Sequence, residues 1–132
     1  MRIGVVCTSF HKKEIEIMLN FAKEESAIKG VELVDIQWVP GAMEVPLALD
    51  RMLKSKSYLS GAITLGIIEN GETQHGLAMG QSVINSILNL QLKYNKPIGL
   101  GIIGPGAKKE HIAARLEPHA RASVNATIQM SS

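Results

Sequence analysis

Gly61-Ala62-Ile63-Thr64-Leu65-Gly66-Ile67-Ile68 is the stretch on which the fold turns. A strand points successive side chains to opposite faces, so a run that is apolar at both odd and even positions is a strand buried on both sides. Strands of that kind belong to parallel sheets covered by helices on each face. Ile98-Gly99-Leu100-Gly101-Ile102-Ile103 has the same character, and Arg2-Ile3-Gly4-Val5-Val6-Cys7 is another short apolar run. Val31 to Val39 reads as a further strand, with Val34, Ile36 and Trp38 expected on one face and Pro40-Gly41 breaking it.

Between these runs the period lengthens to that of a helix. From His11 to Lys29, Ile15, Met18, Leu19 and Ala22 recur at helical spacing, and Gly30 stands where a helix-terminating glycine belongs. Glu44 to Ser55 carries Val45, Ala48, Leu49, Met52 and Leu53, with Pro46 in the first turn. Thr73 to Tyr94 is a long helix whose apolar side is expected near Leu77, Ile84, Ile87, Leu88 and Leu92. One or two helices finish the chain. Strict alternation of strand and helix predicts an α/β fold, a three-layer αβα sandwich around a four-stranded parallel sheet.

Composition narrows the function. The 132 residues fit one domain, spanning 1–132, and 45% hydrophobic content is enough for a core. Fourteen Lys and Arg against twelve Asp and Glu leave a net charge of +2 with no basic run, which argues against nucleic acid. No apolar stretch reaches the about 18 residues of a membrane span. Met1 to Val6 enters a strand directly, without signal-peptide architecture, and the single Cys7 has no internal disulfide partner. Both features lead us to expect a cytoplasmic protein. His11, His111 and His119 show no ligand spacing, and no metal site is expected. Neither a GxGxxG nor a P-loop pattern occurs, so a nucleotide cofactor has no support.

Right-handed crossovers put every strand-to-helix loop at one edge of a parallel sheet, the edge where ligands of such folds bind. Four loops therefore carry the search: Thr8–His11, Pro40–Glu44, Glu69–His75 and Gly104–Lys108. In the third, Gly71 permits close backbone approach, Thr73 suits a helix cap, and His75 falls in the first turn. Helix-start amides hold anions, and an imidazole moves protons at neutral pH. A capping Thr73 beside an exposed, idle His75 gives the same pattern. Gly104-Pro105-Gly106-Ala107-Lys108 reads equally as an anion loop or a plain glycine-rich turn. Glu44 is a carboxylate at a helix start, where the helix dipole alone favours it. Phe10 can stack on a flat ring or belong to the core.

Taken together and in order, these loops resemble one family. Trp38-Val39-Pro40-Gly41-Ala42-Met43-Glu44-Val45-Pro46 resembles the W-V-P-G-A-F-E-I-P segment of the lumazine synthases. Leu65-Gly66, followed by Gly71-Glu72-Thr73-Gln74-His75, resembles their L-G-x-x-I-x-G-x-T-x-H segment. Pro97 to Ile102 is similar to their fourth strand, and Gly104-Pro105-Gly106 resembles the archaeal branch. The resemblance runs from Ile3 to Met130.

It implies a flavodoxin-like architecture and a transferase of riboflavin biosynthesis. That enzyme joins 5-amino-6-(D-ribitylamino)uracil to 3,4-dihydroxy-2-butanone 4-phosphate, giving 6,7-dimethyl-8-ribityllumazine without a cofactor. By the same resemblance His75 is the catalytic histidine and Phe10 stacks on the pyrimidine. Gly41, Ala42, Met43 and Glu44 meet the ribityl chain, and Ile68 and Glu69 meet the pyrimidine edge. Glu72 and Thr73 form the phosphate turn. Leu100 and Arg115 enter from a neighbouring subunit, Arg115 to hold the phosphate, with Arg121 a further candidate cation. A pentamer follows, or an icosahedral shell of pentamers. The chain departs from the family pattern at Ser9 and His11, where many members carry Arg and Asn, and at Met43 and Leu100, where Phe is usual. The competing readings are an archaeal-type riboflavin synthase, a non-catalytic flavin- or lumazine-binding protein on the same scaffold, and a flavodoxin-like module.

Overall fold

Four strands and four α-helices alternate along the chain in the computed structural model, which describes residues 1–69 and 75–131. They are β1 (Arg2–Thr8), α1 (Lys12–Ile28), β2 (Glu32–Val39), α2 (Val45–Ser55), β3 (Gly61–Glu69), α3 (His75–Tyr94), β4 (Ile98–Ala107) and α4 (Lys109–Met130). A 3-10 turn, Ala42–Glu44, leads into α2. The strands form one parallel sheet in the order β2-β1-β3-β4. β3 lies inside it and is buried along all but its last residue, as its two-faced apolar run requires.

Each face of the sheet carries its own core. Ile3, Val5, Cys7, Ile63, Leu65 and Ile67 meet α1 and α4 through Ile15, Met18, Ile112 and Leu116. Val6, Ala62, Ile98 and Ile102 meet α2 and α3 through Leu49, Met52, Val83 and Ile87. The result is the expected three-layer αβα sandwich. Burying a side chain such as Ile63 or Leu49 contributes about 1.5–3 kcal/mol, and these apolar stripes hold the helices on. Gly30 ends α1 as expected. It takes φ +70°, and the amides of Gly30 and Val31 return to the carbonyls of Ala27 and Ser26. The Cys7 thiol is fully buried, and burial pushes its pKa up to about 12, so it stays protonated and inert.

Three expectations are corrected. Val34 does not share a face with Ile36 and Trp38: it packs on the α2/α3 side, while Leu33, Ile36 and Trp38 pack on the α1/α4 side. Asp35 causes the switch. It bulges out of the β1–β2 pairing with φ +52°, so Gly4 pairs with Val34 but Val5 with Ile36. The Asp35 carboxylate in turn accepts from Lys56 at 2.7 Å and from Gln37 at 3.1 Å. Second, the stretch read as the loop Gly104–Lys108 is mostly strand, because β4 runs on to Ala107 and pairs it with Glu69. Gly104 has φ +102°, and a Cβ there would stand 2.2 Å from the Ile68 carbonyl oxygen, so the strand passes only because this residue is glycine. Third, α3 buries Gly80, Val83 and Ile87, whereas Leu77, Leu88 and Leu92 are exposed. At the chain's end a single helix, α4, runs through Pro118.

Candidate functional site

The site is built where β1, β2 and β3 end. The turn after β1 is tied to the segment after β2, because the Ser9 amide donates to the Val39 carbonyl at 2.7 Å and the Phe10 amide to that of Pro40 at 3.2 Å. Two loops distant in sequence thus become one wall. Within it, the 3-10 turn is closed by two bonds. The Glu44 amide donates to the Gly41 carbonyl at 3.1 Å, and the Gly41 amide donates to Glu44 Oε1 at 2.8 Å. Glu44 therefore shapes its own loop as well as offering acceptor capacity to a ligand.

These elements surround a cavity of about 490 Å³ at the carboxyl edge of the sheet. Phe10, Gly41, Ala42, Met43, Glu44, Ile68, Glu69 and His75 all line it. Eight residues proposed from four separate stretches of sequence therefore converge on one space. Phe10 and Met43 are more than half exposed, although both are apolar, and they face that space rather than the core. Such an opening, mostly apolar with a few polar groups, suits a flat organic molecule carrying hydroxyls. His75 begins α3 and lines the same cavity as Glu44 and Glu69.

Other expected site residues lie elsewhere. Leu100 is on edge strand β4, paired with Thr64 and 39% exposed, and it does not line the cavity. Arg115 lines a separate depression with Gly104, Pro105, His111 and His119, and its Nη1 donates to the His111 carbonyl at 2.9 Å. Arg121 is bound up on the far side: its guanidinium contacts Glu24 at 2.9 Å, Glu25 at 3.0 Å and Glu117 at 2.9 Å. Hydrogen bonds from Asn125 and Arg121 hold the Glu25 carboxyl below its ordinary pKa. Arg121 is thus a clamp between α1 and α4, which removes it as a candidate anion holder. Glu72 and Thr73, with Asn70 and Gly71, lie outside the described residues.

Four wall residues have no role assigned from the sequence: Pro40, Ile67, Gly76 and Met79. Met79 follows His75 by one helical turn and so shares its face, a signal that was present. Gly76 has a steric signature only the fold reveals, since a Cβ on it would stand 2.7 Å from the Glu69 carbonyl oxygen. That contact is what allows α3 to start so close to the end of β3. His11 also enters the neighbourhood. Its Nε2 lies 2.7 Å from Glu69 Oε1, without the alignment of a hydrogen bond. Among the described residues, no group of three or more His, Cys, Asp or Glu side chains is placed to hold a metal ion, and no helix is long and apolar enough to cross a membrane.

Comparison with known proteins agrees with the geometry. The family described as 6,7-dimethyl-8-ribityllumazine synthase matches residues 1–132. A protein of that name from Staphylothermus marinus is 34% identical over 129 residues, covering 98% of this chain and 85% of the relative. One from Saccharolobus solfataricus is 33% identical over 130 residues, covering 98% and 84%. Another from Metallosphaera sedula is 32% identical over 131 residues, covering 99% and 86%.

Proposed function

The chain belongs to the 6,7-dimethyl-8-ribityllumazine synthase family, and on that premise we propose that residues 1–132 act as one catalytic domain that condenses 5-amino-6-(D-ribitylamino)uracil with 3,4-dihydroxy-2-butanone 4-phosphate. The observation that carries the reading is the convergence of Phe10, the Gly41–Glu44 turn, Glu69 and His75 on one cavity. The Phe10 ring offers a face for the pyrimidine. Glu44 accepts from ribityl hydroxyls while its other oxygen holds the Gly41 amide. Ile68 and Glu69 present the end of β3 to the pyrimidine edge. Glu72 and Thr73, outside the described residues, bind the phosphate by the same family resemblance.

The chemistry asks for positioning and for proton movement. The uracil amine attacks the ketone carbon, water leaves and an imine forms. Loss of a proton and departure of phosphate give an unsaturated intermediate. The ribitylamino nitrogen then closes the second ring, and a second water leaves. His75 accepts and returns protons in these steps. Holding two reactants in register supplies most of the acceleration.

The enzyme works as an oligomer of this chain, a pentamer or a shell of pentamers, with Arg115 and Leu100 completing a neighbour's cavity. Their positions outside the cavity of their own chain support this. So do Leu77, Leu88 and Leu92, exposed along α3. Such a stripe on a helix is an interface rather than a solvated face. We place the enzyme in the cytoplasm, in keeping with its lone, buried Cys7.

The test is to mix the purified protein with both substrates and follow lumazine absorbance and fluorescence beside a protein-free control. Product well above the control is expected. A rate equal to the control, from protein that still binds riboflavin, would overturn the enzyme reading in favour of a binding protein.

A further inference from the structure

His11 sits in the left-handed region, with φ 60° and ψ 43°, a conformation that costs a residue with a Cβ. It occupies the N-cap of α1 but makes no side-chain cap there, so the helix start does not account for its identity. What the side chain does instead is join two parts of the cavity wall. Its ring stands edge-on to that of Phe10, with centroids 4.3 Å apart and planes at 70°. Its Nε2 is shielded from solvent and reaches Glu69 Oε1 at 2.7 Å. Glu69 lines both the main cavity and an adjoining apolar groove between α1 and α4, where Ile17, Ile112 and Leu116 lie with Glu14 and Lys109 at the margin. His11 lines only the groove. Glu69 is therefore common to the two spaces, and His11 contacts it from the groove side.

We infer that His11 is a positioning residue that holds the Phe10 ring and the Glu69 carboxylate at their places in the pyrimidine-binding wall. Phe10 is 54% exposed and extends from a turn, so its ring has little else to fix it. An unheld ring must be ordered at the moment of stacking, which weakens binding of the aromatic substrate without touching the proton transfers. The effect belongs to one substrate. This inference rests on the reading that Phe10 stacks on the pyrimidine, and its test separates the two.

Steady-state kinetics with each substrate varied in turn would compare the wild type with His11→Asn, Glu69→Gln and the double variant. Asn tolerates the left-handed backbone, so the helix start is kept while the ring and its reach are removed. For His11→Asn the KM for the ribitylaminouracil is expected to rise about tenfold, the scale of one aromatic-pair contact. The kcat, the KM for the phosphate substrate and the melting temperature are expected to stay close to wild type. The double variant is expected to lose less than the product of the two single losses, because both singles break one contact. An unchanged KM for the ribitylaminouracil, equal losses for both substrates with a lowered melting temperature, or fully multiplicative losses would each overturn it. Fluorescence titration with riboflavin reads the same wall without turnover. A wild type that makes no lumazine, with riboflavin binding still weakened in His11→Asn, would sink the enzyme reading and leave His11 in its role.

Discussion

At the scale of single residues, the cavity separates chemistry from binding. His75 is the imidazole on its wall, whereas Phe10, Met43 and Ile68 are apolar surfaces and Glu44 an acceptor already half engaged by the Gly41 amide. If proton transfer rests on His75 and acceleration rests mainly on register, His75→Ala lowers kcat while leaving turnover measurable. General acid–base groups contribute about 10²–10⁴-fold, and we expect the loss near the lower end of that range, about 100-fold, with both KM values little changed. Single-substrate-saturated initial rates check this, and wild-type kcat in the variant would remove His75 from the mechanism. Its neighbourhood was readable from the Gly71–His75 spacing. The roles of His11 and Gly76 were not, because a contact across loops and a steric limit against the Glu69 carbonyl leave no trace in spacing.

At the scale of elements, the packing of helix on sheet depends on glycines facing helix backbone. Gly99 on β4 is the tightest case: a Cβ there would stand 2.1 Å from the Ser123 carbonyl oxygen and 2.5 Å from Thr127 Oγ1, both on α4. A carbonyl cannot swing aside as a flexible side chain can, so Gly99→Ala must push α4 off the sheet. Overpacking of this kind costs about 1–3 kcal/mol, and the relevant measurement is the midpoint of chemical denaturation. An unchanged midpoint would mean that β4 and α4 are not in contact here. The alternation of strands and helices was legible from period alone. The face of β2 was not, since one bulged residue, Asp35, exchanges the two faces along the strand. Nor was the continuation of β4 past Gly104 and Pro105, which sit in the irregularity between the Ile67–Ile103 and Glu69–Ala107 pairs, with Gly104 at φ +102°.

At the scale of the whole molecule, the chain carries on α3 an apolar face that its own core does not use. Leu88 is 50% and Leu92 82% exposed on α3, and with Pro97 and Met130 they line a shallow depression. None of these leucines belongs to the core of its own chain. If a neighbour docks on this face and lends its Arg115 to the cavity, Leu92→Asp leaves each chain folded, shifts the oligomer towards monomer and lowers activity about tenfold or more. A buried charge at an apolar interface costs several kcal/mol, ample for that change. Sedimentation velocity alongside the lumazine assay checks the prediction, and a fully assembled, fully active variant would show that this face is not an interface.

Composition and period were enough for the parallel three-layer fold and for the sheet edge to search, and the family resemblance supplied most of the residues that line the cavity. The fold was legible because its signals are local: a doubly apolar strand and a glycine after a helix each mark their place in a short stretch of chain. Tertiary structure alone decided the rest. It exchanged the faces of β2 at Asp35, turned a glycine-rich loop into strand, and took Arg121 out of the site by giving it three carboxylates. It also turned the leucines of α3 outward and set His11 against Glu69. Each of these outcomes depends on which residue arrives opposite which across the sheet or between helices. That is a matter of pairing register and of distances between segments far apart in the chain, and neither is written in the order of residues.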